Sequence, residues 1–129
     1  MTKSQTAEKF NIDNTPNDYA IENLNKLVVN LLDPLREAFG SPIKVTSGYR
    51  SYLLNQTVGG VKTSQHMSGK AVDIVPMKKT FEEFLDFIDD WIKDKDFDQL
   101  IIEKSGDKKW IHLSYNEGKN RKNKFQINK

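Results

Sequence analysis

The sequence predicts an α+β domain: a small, largely antiparallel sheet flanked by helices. Three observations carry that expectation. An apolar stripe with helical spacing runs through residues 21–35, two short segments alternate with the period of a strand, and residues 97–115 read as a hairpin. At 129 residues the chain is one domain, long enough to bury a core. With no cysteine it cannot rely on disulfides, a thiolate nucleophile or a cysteine-ligated zinc.

Residues 1–17 are polar and end in Asn14-Thr15-Pro16-Asn17, an N-terminal arm closed by a turn. From Asp18, the stripe Ile21, Leu24, Leu27, Val28, Leu31, Leu32, Leu35 predicts a helix. Pro34 lacks an N–H and crowds the preceding turn, so this helix should kink or restart near Asp33. Gly40-Ser41-Pro42 ends it, and Ile43–Gly48 alternates like a strand. Ser51–Thr57 suits a short helix with Ser51 as N-cap, broken by Val58-Gly59-Gly60. Ala71–Val75 is a second strand closed by Pro76. Thr80 with Glu83 three residues later is a capping-box pattern, opening a helix whose buried face is Phe81, Phe84, Leu85, Ile88, Trp91 and Ile92. Phe97–Glu103 and Lys109–Tyr115 then pair around Ser105-Gly106-Asp107.

Charge and hydropathy exclude several classes. No apolar run is long enough for a bilayer, and no apolar leader opens the chain. The expectation is therefore a protein made in the cytoplasm without a signal peptide. A net charge of +2 is too small to imply nucleic-acid binding. Residues 116–129 carry Lys119, Arg121, Lys122, Lys124 and Lys129 against Glu117 alone. The plain expectation there is a solvated, partly frayed basic tail; contact with an anionic polymer such as a cell wall is the sharper one. No membrane or nucleic-acid partner and a monomeric state are expected.

The chemistry lies in the two histidines. His66, Asp73 seven residues on, and the distant His112 offer two imidazole nitrogens and a carboxylate oxygen, the three-ligand set of a catalytic zinc with a fourth position open. Taken alone, Asp73 would pass for an aspartate on a solvated sheet face, and either histidine for a hydrogen-bonded core residue. The hairpin register adds a further group. Matching apolar faces sets Ile102 across from Ile111 and Leu100 across from Leu113. Glu103 then falls opposite Trp110, diagonal to His112 and on its face, roughly 7 Å away by strand geometry. Arg50, where a strand runs out into a turn, is a fixed-charge donor for carbonyl or carboxylate oxygens, unless it is an ordinary surface arginine.

Ser47-Gly48-Tyr49-Arg50-Ser51, Asn55, Val58-Gly59-Gly60, Ser64-Gln65-His66, Gly69, Ala71, Asp73-Ile74 and Trp110-Ile111-His112 together resemble the zinc D-Ala-D-Ala carboxypeptidase family. That family includes VanX-type dipeptidases and phage L-alanyl-D-glutamate endolysins, and shares its fold with the hedgehog amino-terminal domain. The resemblance spans about Leu24 to Tyr115. It implies one zinc per chain on His66, Asp73 and His112, and Arg50 steadying the scissile carbonyl oxygen. Ser64, Gln65, Tyr49, Trp110 and Ser114 would line the substrate cleft. The substrate class implied is the peptidoglycan stem peptide, cut by a phage lysis or virion-associated enzyme that reaches the wall at lysis or in a virion. Endolysin and VanX-like members place a catalytic glutamate three residues before the second zinc histidine, where this chain has Lys109. The base expected here is Glu103, with Asp107 in the hairpin loop as second candidate. The alternative is a zinc-bearing binding or structural module of the same fold without turnover. Carboxypeptidase action would also need a second cation near Arg50, for which Lys62, Lys70 and Lys109 are candidates.

Overall fold

The structure, a computed structural model, describes residues 14–51 and 64–129. All but the first residue of the helix expected over Ser51–Thr57, the Val58-Gly59-Gly60 break, Asn55, Lys62 and most of the N-terminal arm lie outside those residues.

Helix α1 (Asp18–Leu27) is capped by the Asn17 side chain, which accepts from the Ala20 amide at 2.8 Å. It passes through a π-helical turn (Val28–Leu32) into α2 (Asp33–Phe39). The widened turn sits immediately before Pro34, which cannot supply its own donor to the ladder; the Asp33 amide bonds back to the Val28 carbonyl instead. Gly40, at φ 68°, closes α2 in the left-handed conformation. Strands β1 (Ile43–Ser47) and β2 (Ala71–Pro76) pair antiparallel, with a register shift between Val45 and Ser47. Helix α3 (Phe81–Trp91) has the expected cap: the Glu83 amide donates to Thr80 Oγ1 at 3.1 Å.

Strands β3 (Gln99–Ser105) and β4 (Lys108–Ser114) form the hairpin, with Leu100 opposite Leu113, Ile102 opposite Ile111 and Glu103 opposite Trp110. This is the register that matching the apolar faces requires. Gly106, at φ 59°, supplies the positive dihedral at the first central position of the two-residue turn. The sheet order is β1-β2-β4-β3-β5, where β5 is Asn123–Asn128 and runs parallel to β3.

The two faces of the sheet differ in kind. Val72, Ile74, Leu100, Ile111 and Leu113 pack with Leu27, Leu31, Leu35, Phe84, Ile88 and Ile92 in one apolar core between sheet and helices. Strand alternation sends Asp73, Ile101, Glu103, Trp110 and His112 to the other face. No described helix is long and apolar enough to cross a membrane.

Strand β5 corrects the expectation of a frayed tail. Arg121 is tied to buried Asp98, Lys124 to Asp89 at 3.0 Å, and Lys129 to Glu103 at 2.9 Å. Three of the five basic groups thus pair within the molecule and are not free for a polymer. The signal in the sequence was the alternation of Phe125 and Ile127, submerged in a run of lysine and asparagine. Deleting residues 119–129 strips β3 of its outer neighbour and Asp98 of its guanidinium. The thermal midpoint should fall by on the order of 10 °C, or ~2–3 kcal/mol for a domain of this size. An unchanged melting curve would return the segment to the role of a solvated tail.

Candidate metal centre

Asp73 and His112 face each other directly across β2 and β4. His66 reaches them from a single 3₁₀ turn (Gln65–Ser68) that precedes β2. That turn is fixed at both ends. Ser64 caps it, its Oγ accepting from the His66 amide at 3.2 Å. Gly69 closes it at φ 73°, lying so close to α1 that a Cβ would strike the Ala20 carbonyl. The Asn23 side chain adds a bond to the Ser68 carbonyl at 2.9 Å, and the Arg50 amide donates to the His66 carbonyl at 2.9 Å.

The orientation of the His66 imidazole follows from hydrogen bonding. Nδ1 of His66 lies 2.7 Å from the Gly48 carbonyl, which can only accept, so Nδ1 carries the proton and Nε2 is the free nitrogen of the neutral ring. Gly48 directly follows β1, whose pairing with β2 shifts register between Val45 and Ser47. Nε2 of His66 is 3.3 Å from Asp73 Oδ1, and Nδ1 of His112 is 3.4 Å from the same oxygen. The rings stand edge to face with centroids 5.2 Å apart. All three candidate ligand atoms lie within 4.8 Å of one another.

The residues fit a metal ion on the chemistry of this set. Asp73 Oδ1 is buried and accepts no hydrogen bond from any described group. An oxygen lone pair and imidazole lone pairs repel at these distances unless a proton or a cation lies between them. Two imidazoles and a carboxylate are zinc-type ligands, and the cysteine-free chain offers no competing thiolate. Burial, the largest single influence on Asp73, raises its pKa; where protons on the imidazoles rather than an ion fill the gap, donation from His112 and His66 outweighs burial and holds the carboxyl far below the ordinary range.

Arg50 and Glu103 border this cluster. Arg50 Nη2 donates to Ser64 Oγ at 3.2 Å, while its buried Nε bonds to no described group. Burial lowers the guanidinium pKa, and the charges of Asp73 and Glu103 act to raise it, so both carboxylates share its field. Glu103 is 7% exposed, and its Oε2 accepts from the Trp110 indole at 2.9 Å. Lys109 is not at the site. Alternation turns it to the helical side, where it pairs with Glu82 at 3.3 Å.

The structure redistributes the residues expected in the cleft. Ser64 and Gln65 hold the His66 turn, and Trp110 holds Glu103. Ser114 is fully buried, its Oγ accepting from the Gln99 amide at 2.9 Å. Tyr49 packs with Ala20 and Leu24 in a small apolar cluster.

The family model for Peptidase M15 matches residues 1–114. The chain belongs to the M15 peptidases. A comparison with curated proteins finds no match. M15 peptidases are zinc-dependent, and this one brings together a His-Asp-His group able to hold a metal ion.

Asp98 is the residue that sequence reasoning missed. Fully buried, it accepts from Arg121 Nε at 2.8 Å, Arg121 Nη2 at 3.0 Å, the Arg121 amide at 3.1 Å and Gln65 Nε2 at 2.6 Å. It thus joins the segment after β4 to the residue beside His66. Nothing in the sequence distinguishes it from the exposed Asp96 before the fold is known.

Two outcomes follow for this M15 peptidase. His66→Ala with His112→Ala should abolish stoichiometric zinc, measured by elemental analysis, because no third histidine or any cysteine can substitute; retained zinc would remove the centre. The hydrogen bonds from Arg121, reinforced by Gln65 and opposed by burial, lower the Asp98 pKa. Its contribution to stability is therefore complete above the unfolded value of about 3.9 and lost as pH falls through the lower folded value. Asp98→Asn should flatten the acid limb of a stability–pH curve below about pH 4. An acid limb as steep as the parent's would remove Asp98 from that role.

Proposed function

We propose that this M15 peptidase hydrolyses a peptide bond in the stem peptides of peptidoglycan, using one zinc on His66, Asp73 and His112. The observation that carries the reading is the convergence of those three groups beside Arg50 and Glu103 on the sheet face away from the core. Zinc in such a set polarises a carbonyl and lowers the pKa of water toward neutrality.

The chain's own groups divide the remaining work. Glu103 takes the proton of the attacking water and delivers it to the leaving amine. Arg50 donates to the carbonyl oxygen as negative charge develops there, its planar guanidinium supplying donors of fixed geometry. The Gly48 carbonyl holds His66 in one tautomer throughout. For a free substrate carboxylate, Lys109 is turned away to Glu82 and Lys70 lies 5.6 Å over the Tyr19 ring. The setting we assign is the bacterial wall, reached at phage lysis or from a virion.

One observation favours the non-catalytic alternative. Glu103 already bonds to Trp110 and Lys129, as a purely structural glutamate would. Mass spectrometry of muropeptides after digestion of purified walls, with and without chelator, separates the two. A chelator-sensitive change in stem-peptide mass is expected and identifies the bond cut; no change on any wall fragment would favour the module.

Glu103→Gln should keep zinc content and thermal stability close to the parent's while turnover drops by ~10²–10⁴. Asp107→Asn, in the exposed turn, should do far less. The reverse pattern would move the base to the turn. Arg50→Lys should retain zinc and fold yet lose much of its turnover, since lysine keeps the charge and loses the planar fork. Unchanged kinetics on the wall substrate would make Arg50 a structural residue.

A further inference from the structure

The site contains a cation that neither the motifs nor the family match accounts for. Lys129 lies beyond the matched residues 1–114, yet its Nζ is 2.9 Å from Glu103 Oε1 and 5.6 Å from the centroid of the Trp110 ring. Its backbone is fixed, because the Lys129 amide donates to the Lys104 carbonyl at 2.7 Å and continues the β5–β3 ladder. In that ladder Ile101 is opposite Phe125 and Glu103 opposite Ile127. Alternation therefore puts Phe125, Ile127 and Lys129 on the face that carries His112.

We propose that Lys129 is a positioning residue that, with Trp110, holds Glu103 in line with the metal cluster and keeps it from collapsing onto Arg50. The role rests on Glu103 being the base. The geometry is a two-point clamp with one oxygen on each partner: Oε2 on the indole N–H, Oε1 on the ammonium. A carboxylate has about four lone-pair positions, so both oxygens keep capacity for a proton.

The alternative partner is at hand. Arg50 has a buried Nε without a described partner and lies within the field of Glu103. A side chain as buried as Glu103, 10% exposed, cannot take water as a full substitute for a lost cation. Without Lys129 the nearest compensation is Arg50. That pairing would consume the proton acceptor and the carbonyl donor together. Lys129 itself is half exposed, so removing it leaves its own side unburdened and puts the whole effect on the carboxylate.

The test uses the full chain loaded with zinc, with Lys129→Met, Lys129→Arg, Glu103→Gln and the double variant Lys129→Met/Glu103→Gln. Lys129→Met should lower kcat by about 10-fold, with KM and zinc content unchanged, and Lys129→Arg should restore most of it. In the Glu103→Gln background the same substitution should change kcat by less than about 2-fold, because the lysine acts only through the carboxylate. A raised KM with unchanged kcat would make Lys129 a substrate contact and overturn the proposal. An undiminished effect in the Glu103→Gln background would overturn it equally.

A readout independent of turnover is the indole N–H resonance of Trp110, assigned against Trp91 with Trp110→Phe. Both Lys129→Met and Glu103→Gln should move it and leave Trp91 in place; a stationary resonance in Lys129→Met would mean that no clamp exists. A parent without turnover would defeat the catalytic reading itself, and a fully active Glu103→Gln would defeat the choice of base. Each is distinct from a failed clamp, which leaves the parent active and the Glu103→Gln variant strongly impaired.

Discussion

Asp73 and His112 are opposed residues in the antiparallel pairing of β2 with β4, and opposed residues carry Cβ atoms only about 4.5–5.5 Å apart. Two of the three candidate ligands are therefore brought together by strand register alone, before any side chain chooses a rotamer. The same register sends Val72, Ile74, Ile111 and Leu113 into the helical core. A slip of one residue in either strand would bury an aspartate or a histidine among leucines and expose the core to water. Burial of the apolar face and assembly of the metal cluster are enforced by one pairing, so a stable fold and an assembled site cannot be separated.

The third ligand is held by different physics. His66 sits on a turn whose position depends on contacts to α1, to the end of β1 and to Asp98. Each tether acts at short range: a left-handed glycine against a carbonyl, a carbonyl on a ring nitrogen, an amide side chain on a buried carboxylate. Around this centre the charges alternate, with Asp73 between two imidazoles, Arg50 sharing the fields of Asp73 and Glu103, and Lys129 beyond Glu103. No described carboxylate on this face is left facing another without a cation or imidazole alongside, which is how so many ionisable groups can share a poorly hydrated surface.

Much of this was legible in the sequence, and the reasons are specific. Periods of two and 3.6 residues reported the helices and strands, because the core is one-sided for each element. The β3–β4 register could be worked out because matching the apolar faces of the two strands sets Leu100 opposite Leu113 and Ile102 opposite Ile111. The cluster of His66, Asp73 and His112 was legible because the chain has two histidines and no cysteine. Strand β5 was not, since an edge strand in parallel pairing needs few apolar residues, and Asn123–Asn128 has only Phe125 and Ile127. The work of Asp98 and Lys129 was hidden for a different reason. Their partners are distant in sequence or belong to a strand that could not be foreseen, and charged residues carry no periodicity to announce a contact. The burial of Ser114 and Tyr49 was not legible either, because strand parity and motif proximity do not reveal depth.

The long separation of the pairing partners also bears on how the molecule forms. The β3–β4 hairpin closes through a two-residue turn, whereas Asp73 meets His112 only after a loop of nearly forty residues has been drawn in. A metal ion has no preassembled set to bind until that distant pairing exists, so it cannot template the early steps. An ion that bound the finished molecule and not its precursors would exert its kinetic effect on the unfolding side. Metal would slow the rate at which the native state opens and leave the rate of its formation nearly as it is. An ion held by this cluster would then also be a timer, setting how long the folded molecule persists.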